Sequence, residues 1–373
     1  MRRLLIITAV YTGHGHKSIS DSLMERLEAY PDIEVRTIDG FDLMSKVQKV
    51  CAEKTYGPIT RLPKQAWALN YAAGMALRQP VQRAIAVMIR HRFEELIHEF
   101  RPDCILSVHP VFLGSVIDLL EEMNLSIPLV AHEADLIDIA DYWFDPRIAL
   151  VLAPSQEAYD CTVSHGVDPA QVRKVGFPVR RRFMGLARPE ERPMAHAQPV
   201  ITVMSGSEGS GTIRAVAREL LSGTNAHVNV ICGRNKALRK KLRSVLGRRY
   251  HGRLNAMGFV NDIQNVMLDS DLLIMRASPN SVMEAVALNK PVILFGQLAG
   301  QELHNPQMLV SHGLAEYCPD PECLPDCVAR LTANGGEAIE RMRACQRAYA
   351  PGDAAADTAK LLSDFIHSLD SEG

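Results

Sequence analysis

Short apolar runs recur along the chain and alternate with amphipathic stretches. Three of them are nearly continuous: RLLIITAV at 3–10, CILSVHP at 104–110 and PVILFGQ at 291–297. Strands of this composition are buried on both faces, as in a parallel sheet. Further strands are predicted at 33–39, 128–135, 149–155, 227–233 and 254–260, and at the start of 199–211 and of 271–281. Helical patterns between them predict an α/β protein built of βαβ units.

The pattern divides into two similar halves. The segment RPEERPMAHAQP at 188–199 contains three prolines and no hydrophobic period, so it is the best linker. Each half opens with a strand, a glycine-containing loop and a helix. We predict an N-terminal Rossmann-like domain at 1–190, a C-terminal one at 191–355, and a last helix at 356–373 that packs back on the first domain. Ligands of such sheets bind beyond the carboxyl ends of the strands, so two sheets facing across a cleft suit the joining of two substrates.

Composition excludes several classes of protein. Apolar residues make up 47% of the 373 residues and charged residues 23%, as in soluble globular proteins. The formal charge of −2 gives no general basic field for nucleic acid. No apolar run reaches the roughly 18 residues of a membrane-spanning helix, and the N-terminus lacks a small-residue cleavage site. The eight cysteines form no CxxC pair, which favours reduced thiols and a cytoplasmic location.

Two loops that follow strands have the composition of ligand-binding turns. The loop TGHGH at 12–16 ends in His16 at a helix start, where an imidazole could act as a general base or simply belong to a tight turn. The loop SGSEGSG at 205–211 offers glycines and serines at a helix N-terminus, a good cradle for a diphosphate. Neither loop fits the P-loop or the GxGxxG fingerprint, so an NTPase and a nicotinamide dehydrogenase are disfavoured.

Two further loops lie in the second half. RASPNS at 276–281 precedes a helix carrying Glu284, which could bind a ribose or be a solvated carboxylate favoured by the helix dipole. GQELHN at 300–305 concentrates groups suited to sugar hydroxyls, although Asn305 could equally cap the helix that follows. His109, which ends a strand, is either a ligand-facing or a packed histidine.

Other short motifs follow in a fixed order. The first half contains Tyr56, Pro63 and Trp67, then PD at 102–103 with SVHP at 107–110, then Asp135 and Trp143, then GFPVR at 176–180. The second half contains GFV at 258–260, Pro279, Ser281, Glu284 and Ala285, and Gly300, Gln301, Glu302 and Asn305. Together they resemble the monogalactosyldiacylglycerol synthase and processive diacylglycerol glucosyltransferase family, which is glycosyltransferase family 28-like. More distantly, the chain is similar to the bacterial enzyme that adds N-acetylglucosamine to peptidoglycan lipid I.

The resemblance covers nearly the whole chain and implies a GT-B fold and an inverting glycosyltransferase. It implies a UDP-sugar donor, a lipid acceptor such as diacylglycerol, and no cofactor. His16 is then the catalytic base, with Asp135 as a second catalytic candidate. The implied acceptor-side residues are Gly15, His109, Tyr56, Trp67 and Trp143. The implied nucleotide-sugar residues are Ser205, Gly206, Ser207, Gly209, Gly211, Gly258, Phe259, Val260, Pro279, Asn280, Ser281, Glu284, Gln301, Glu302 and Asn305.

The chain departs from the family pattern in the donor half. Ser205 and Ser207 replace glycines, Arg276 replaces a lysine, and Asn280 replaces a glycine where a side chain would narrow the phosphate pocket. Three alternatives therefore stay open: a UDP-N-acetylglucosamine 2-epimerase, a glycosyltransferase with a soluble acceptor, and a non-catalytic nucleotide-sugar-binding protein. Formation of a soluble product from UDP-sugar alone would favour the epimerase.

The segment 43–93 is strongly basic. It contains nine Lys or Arg against a single acid, Glu53, and the cations are interleaved with aromatic and apolar residues. This pattern predicts either an interfacial segment at an anionic membrane or a solvated helical face beside a core stripe. With the family resemblance, it predicts a cytoplasmic protein that is peripheral on the inner face of the cell membrane.

Overall fold

Two six-stranded parallel sheets form the framework of the described protein. The computed structural model describes residues 1–10, 14–46, 48–49, 77–186, 198–205, 212–298 and 300–369. One unit comprises Met1–Arg180, Ala299–Leu303 and Asp353–Gly373, and the other comprises Arg181–Leu298 and His304–Gly352. The sequence put the domain boundaries at 190 and 355.

The first sheet consists of β1 to β6, with the spatial order β2-β1-β3-β4-β5-β6. Its strands are β1 (Arg2–Thr8), β2 (Ile33–Asp39), β3 (Cys104–Ser107), β4 (Leu129–His132), β5 (Leu150–Ala153) and β6 (Val172–Lys174). Leu4 to Ile7 are fully buried, as the continuous apolar run predicts for a strand covered on both faces.

Helices cover this first sheet. They are α1 (His14–Leu27), α2 (Arg78–Phe100), α3 (Pro110–Glu122) and α4 (Gln156–Ser164). Helix α1 buries Ile19, Leu23 and Leu27, which recur every four residues and therefore lie on one face. Helix α2 ends at Arg101, which adopts the left-handed conformation of a C-cap.

The second sheet has the order β12-β11-β10-β7-β8-β9. Its strands are β7 (Val200–Met204), β8 (His227–Ile231), β9 (Leu254–Met257), β10 (Leu272–Arg276), β11 (Val292–Gly296) and β12 (Glu316–Tyr317). The helices are α5 (Thr212–Gly223), α6 (Lys236–Arg249), α7 (Ile263–Leu268), α8 (Pro279–Ala287), α9 (Asn305–Ser311), α10 (Leu324–Thr332) and α11 (Glu337–Tyr349). Ile201, Val203 and Ile274 lie in one buried cluster with the apolar faces of the helices.

The last helix, α12 (Ala354–Ser368), belongs to the first unit. It packs against α1, and Asp353 at its start both caps the amide of Ala356 and forms an ion pair with Arg26 at 2.8 Å. Gly176 lies against this helix with φ +80°, and a Cβ there would stand 3.0 Å from the Cβ of Ala354. The position therefore requires glycine both for its backbone angle and for its close packing.

We predict that Gly176→Ala lowers the free energy of unfolding by about 1–3 kcal/mol, because left-handed backbone and crowding both oppose a side chain. Urea unfolding measures this loss. Gly166→Ala is the matched control, since Gly166 has φ +90° but open space around its Cβ position. Gly166→Ala should lose only the stability that the left-handed backbone angle costs. Adding Ala354→Gly to Gly176→Ala should recover the part that was lost to crowding. Equal losses for both single variants would contradict the packing argument.

Candidate active site

Each sheet reverses its strand order at one point, and the two parallel strands there have their carboxyl ends at the same edge of the sheet. In the first sheet the reversal falls between β1 and β3, and in the second between β7 and β10. Parallel α/β sheets bind ligands outside the carboxyl ends of such strand pairs. The loops that the sequence singled out at 12–16, 205–211 and 276–281 all follow one of these four strands.

His16 is held by the backbone of the neighbouring loop. Its Nδ1 lies 2.7 Å from the carbonyl oxygen of Val108, the residue after β3. A carbonyl only accepts, so Nδ1 donates its proton and Nε2 carries the lone pair. Burial lowers the pKa of His16 to about 4, against a smaller opposing effect of the Val108 bond. The ring is therefore neutral at physiological pH, which is the form that accepts a proton.

His109 packs edge-on against His16, with ring centroids 4.4 Å apart. It is the N-cap of α3, and its Nδ1 accepts the amide proton of Val111 at 3.3 Å. The opposite nitrogen, Nε2, is therefore protonated in the neutral ring. Burial, followed by the charge of protonated His16, lowers the pKa of His109 well below its usual value. The structure thus makes His109 a buried capping residue that supports the ring of His16.

Asp135 follows β4 and is the centre of an acidic cluster in the first unit. Burial, followed by the nearby carboxylates of Glu302 and Asp138, raises its pKa to about 7. The indole of Trp143 lowers it, although the Nε1 proton approaches the carboxyl without full hydrogen-bond geometry. Trp143 is fully buried and Glu302 nearly so. We therefore assign Trp143 a positioning role beside Asp135 rather than an exposed acceptor surface.

Glu133 is a second buried carboxyl, and its sequence position next to His132 and close to Asp135 makes the pair His132-Glu133 a rival acid/base site. Its side chain has no exposed surface, and Thr162 donates to its Oε1 at 2.5 Å. Its Oε2 has no partner among the described residues. Burial raises the pKa of Glu133 to about 8, with a smaller upward effect of Asp135 and a downward one of Thr162. Glu133 is therefore protonated at neutral pH.

The donor-side loops of the second unit are described only in part. Ser205 directly follows β7 and is buried, whereas Gly206, Ser207, Gly209 and Gly211 lie outside the described residues. Tyr56 and Trp67 of the predicted acceptor side also lie outside them. Pro279 occupies the first turn of α8, and Asn280 and Ser281 follow it in that turn. Asn280 is not among the residues with positive φ, so replacing a glycine there requires no unusual backbone.

Glu284 and Asn305 are both buried in the second unit. Glu284 is 6% exposed, which overturns the alternative of a solvated first-turn carboxylate. Asn305 begins α9, but its side chain caps nothing. Instead its Nδ2 donates to the carbonyl of Ala277 at 2.9 Å, joining the loop before α9 to the loop before α8. Its Oδ1 has no partner in the described part of the chain, so the amide retains one acceptor.

The loop after β9 presents an exposed aromatic ring. Phe259 is 54% exposed, and the guanidinium of Arg234 stacks over it at 5.4 Å from the centroid. Gly258 beside it lies near the guanidinium of Arg239, and a Cβ there would stand 3.4 Å from Nη1, an ordinary van der Waals contact. Val260 is half-buried. Sequence reasoning missed Arg234, although a cation three residues after β8 was a signal for it.

Two family models match consecutive parts of the chain. Residues 16–179 match the monogalactosyldiacylglycerol (MGDG) synthase family, and residues 200–359 match the glycosyltransferase family 28 C-terminal domain. The chain belongs to the glycosyltransferases of the MGDG synthase type. The family predicted from the sequence motifs is thereby confirmed.

Curated plant relatives resemble the chain over most of its length. The MGDG synthase of Spinacia oleracea is 26% identical, in an alignment that covers 99% of this chain and 72% of the spinach enzyme. The probable MGDG synthase of Nicotiana tabacum is 28% identical, over 86% of this chain and 62% of that enzyme. The plant enzymes are therefore longer than the part that matches this chain.

Solved structures share the fold. The kitacinnamycin glycosyltransferase has a TM-score of 0.66 at 15% identity, covering 98% of this chain and 99% of that one. UDP-GlcNAc 2-epimerase from Neisseria meningitidis, solved with UDP-GlcNAc, has a TM-score of 0.63 at 14% identity, covering 98% and 100%. Anabaena HepE in complex with UDP-glucose has a TM-score of 0.58 at 14% identity, covering 99% and 100%. The predicted GT-B fold, with two parallel-sheet α/β units, is confirmed.

We predict that Glu133→Gln changes the pH dependence of stability. The carboxyl has a pKa of about 8 in the folded protein and about 4.3 in the unfolded chain, so folding takes up a proton between these values. Stability from this group is therefore present at low pH and is lost as pH rises toward 8. In urea unfolding from pH 5 to pH 8, the free energy of unfolding of the variant should rise relative to that of the wild type, by at most about 1.4 kcal/mol per pH unit.

Glu99→Gln serves as the control, because Glu99 lies 69% exposed on α2 and pairs with Arg36 rather than with a histidine. Its stability should follow that of the wild type across the same range. A stability difference between Glu133→Gln and wild type that does not change with pH would mean that Glu133 is ionised in the folded state.

Proposed function

We propose that this protein is an inverting transferase that moves a hexose from a UDP-sugar to the hydroxyl group of diacylglycerol or a similar lipid. The two family domains and the MGDG synthase relatives support the transfer reaction and the lipid acceptor. Structural neighbours solved with UDP-glucose and UDP-GlcNAc support a UDP-sugar as the donor. A low sequence identity leaves the choice of sugar to experiment.

The observation that carries the proposal is the hydrogen bond from His16 to Val108. It leaves Nε2 of a neutral imidazole as the basic nitrogen at the β1–β3 reversal, where an acceptor would bind. In the reaction, the acceptor oxygen attacks the anomeric carbon as His16 Nε2 takes the hydroxyl proton. The bond from that carbon to the diphosphate oxygen breaks, and UDP leaves from the opposite face. Inversion at the anomeric carbon follows from this single displacement.

The second unit supplies the donor site in this proposal. Glu284 would accept hydrogen bonds from the ribose hydroxyls, and the glycine–serine loop from Ser205 would donate amide protons to the diphosphate. The exposed ring of Phe259 would contact the uracil. Gln301 and Glu302 would contact the sugar hydroxyls, and Asp135, beside Glu302, would help to hold the reacting sugar or acceptor.

Charge on the leaving UDP can be stabilised without a cofactor. Backbone amides at helix N-termini and side-chain donors supply the electrostatic stabilisation that a metal supplies elsewhere. The described residues contain no cluster of three or more His, Cys, Asp or Glu that could hold a metal ion. The absence of a metal requirement stays a prediction, to be tested by activity in the presence of a chelator.

A lipid acceptor implies that the enzyme transfers the sugar at a membrane surface. No helix among the described residues is long and apolar enough to cross a bilayer. We propose a peripheral enzyme at the cytoplasmic face of the cell membrane, with an anionic lipid surface as its partner.

Product formation tests the function directly. Purified protein is incubated with diacylglycerol in neutral detergent micelles and with UDP-glucose, UDP-galactose or UDP-GlcNAc. We expect a monoglycosylated lipid with one of these donors, detected by mass, and a β linkage by NMR. His16→Ala should lower kcat by about 10²–10⁴-fold, because proton transfer to the base is lost.

Calorimetric UDP affinity is the control for His16→Ala, and it should match that of the wild type because His16 belongs to the first unit. Turnover near the wild-type value in this variant would reject His16 as the base, and comparison with Asp135→Asn and His109→Ala would then identify the group responsible. Release of a soluble sugar epimer from UDP-GlcNAc alone, with no lipid product, would overturn the transferase in favour of the epimerase.

Removal of Glu284 tests the donor site. Glu284→Gln keeps the size of the buried side chain and removes its charge, so UDP binding should weaken by about 1–3 kcal/mol. Isothermal calorimetry measures this change. Glu337→Gln is the matched control, since Glu337 is an exposed first-turn carboxylate of α11 in the same unit. Unchanged UDP affinity in Glu284→Gln would remove Glu284 from the nucleotide site.

A further inference from the structure

Helix α6 and its flanks form the most basic stretch of the second unit. Between residues 234 and 253 the chain contains no Asp or Glu. Its nine cations are Arg234, Lys236, Arg239, Lys240, Lys241, Arg243, Arg248, Arg249 and Arg253. The whole chain carries a formal charge of only −2, so this charge is concentrated rather than general. Sequence reasoning passed over it because it looked for membrane contacts only in 43–93.

The helix has a buried side and a basic outward side. Leu238, Leu242 and Leu246 are buried at four-residue spacing and pack into the core of the second unit. Four cations stand on the opposite side of the helix at the 3.6-residue period. They are Lys236, Lys240, Lys241 and Arg248, all of them exposed. We refer to these four residues as the α6 patch.

The α6 patch has no counter-charge in the described part of the protein. None of its four cations forms an ion pair with a carboxylate among the described residues. Neighbouring arginines of the same stretch form hydrogen bonds with backbone carbonyls instead. Arg239 and Arg243 donate to the carbonyl of Ala256 at 3.3 and 3.2 Å, and Arg253 donates to that of Thr224. These bonds anchor α6 on the sheet and leave the α6 patch facing solvent.

The basic segment 43–93 behaves differently where it is described. Arg90 forms ion pairs with Glu94 and Glu122. Arg78 and Arg92 donate to backbone carbonyls of the first unit. Several cations that the sequence assigned to a membrane are therefore engaged inside the fold. The α6 patch retains its charge for an outside partner.

We propose that the α6 patch binds the anionic headgroup surface of a lipid bilayer. The proposal rests on the lipid acceptor of the proposed function, since that acceptor dissolves only in a membrane. Charge complementarity supports it, because each Lys or Arg close to an anionic leaflet strengthens binding about fivefold. Val245, a neighbouring residue of α6, is 55% exposed and adds an apolar contact.

An anionic lipid surface fits the patch better than nucleic acid does. Proteins that bind single strands combine cations with exposed aromatic rings on which bases stack. The ring nearest to the patch in sequence is Tyr250, and the guanidinium groups of Arg249 and Arg253 lie over it at 5.4 and 5.5 Å. The patch itself consists of lysines and one arginine without an aromatic residue, which suits a diffuse anionic surface.

The test uses the full-length protein and vesicles of 30% phosphatidylglycerol in phosphatidylcholine. The variant Lys236→Gln, Lys240→Gln, Lys241→Gln, Arg248→Gln removes the charge of the patch while keeping good helix formers. We expect its partition coefficient in co-sedimentation at 0.1 M salt to fall about 100-fold, with a weaker dependence on salt. Binding to pure phosphatidylcholine should not change. Replacing Lys236, Lys240 and Lys241 by arginine should preserve binding.

A second quadruple variant controls for net charge. Arg214→Gln, Arg218→Gln, Arg330→Gln, Arg341→Gln removes the same four charges from exposed positions elsewhere in the second unit. It should bind vesicles within about threefold of the wild type, because only cations close to the leaflet contribute. Circular dichroism establishes that both variants are folded. A loss as large in this control as in the patch variant would overturn the proposal.

Two further outcomes would also overturn it. One is unchanged vesicle binding by the patch variant. The other is loss of oligonucleotide binding in fluorescence anisotropy while vesicle binding stays intact, which would assign the patch to nucleic acid. Sugar transfer in neutral micelles should be the same for the patch variant and the wild type. A wild type that transfers no sugar would refute the proposed function and leave the vesicle result standing.

Discussion

Parallel pairing of β1 with β3 is the constraint on which the candidate active site depends. The amide of Val108 donates to the carbonyl of Ile7 at 2.9 Å, so the two strands end at the same level. The carbonyl of the same residue then accepts the Nδ1 proton of His16. A single residue, Val108, thus joins the end of the first strand to the ring of the proposed base. The tautomer of His16 follows from strand register, since a shift of one residue would take that carbonyl away.

Removal of water sets the chemistry of the groups around this point. Burial is the largest cause of the shifted pKa values of His16, Asp135 and Glu133. It acts on each group in the direction that favours the neutral form. The first unit therefore holds a neutral imidazole at His16, a protonated carboxyl at Glu133 and, at Asp135, a carboxyl whose pKa lies close to neutrality. The neutral forms of His16 and Glu133 avoid the cost of burying an unpaired charge.

Sequence patterns predicted the buried strands and the order of the loops well. Continuous apolar runs such as that of β1 predict strands covered on both faces. The motifs at 12–16, 107–110, 205–211 and 276–281 follow the four strands that flank the order reversals. Strands β6 and β12 were missed because they have three and two residues, too short for a period to be seen. The left-handed backbone at Arg101 and the hydrogen bond from Asn305 to Ala277 could not be predicted either, because both depend on tertiary contacts.

Some functional details could not be read from the sequence for electrostatic reasons. The sequence shows the charge of a basic residue but not its partner. Arg90 pairs with Glu122, whereas Lys240 is exposed to water, and the two look alike in the sequence. Of the nine cations counted in 43–93, Arg78, Arg90 and Arg92 have partners within the first unit, and the membrane role of the segment stays a prediction. Glu133 likewise looks like any acid until its burial and its bond from Thr162 are known.

The return of α12 to the first unit has a consequence for synthesis of the chain. Ala355, Ala359, Leu362 and Ile366 are fully buried, so the core of the first unit is incomplete until the last helix exists. A ribosome makes the second unit, which ends at Gly352, before it makes that helix. The unit that begins the chain thus completes its core only after the second unit has been synthesised. Until then α1 exposes the apolar surface that α12 will cover, and a nascent chain stalled before residue 353 would be a substrate for chaperones.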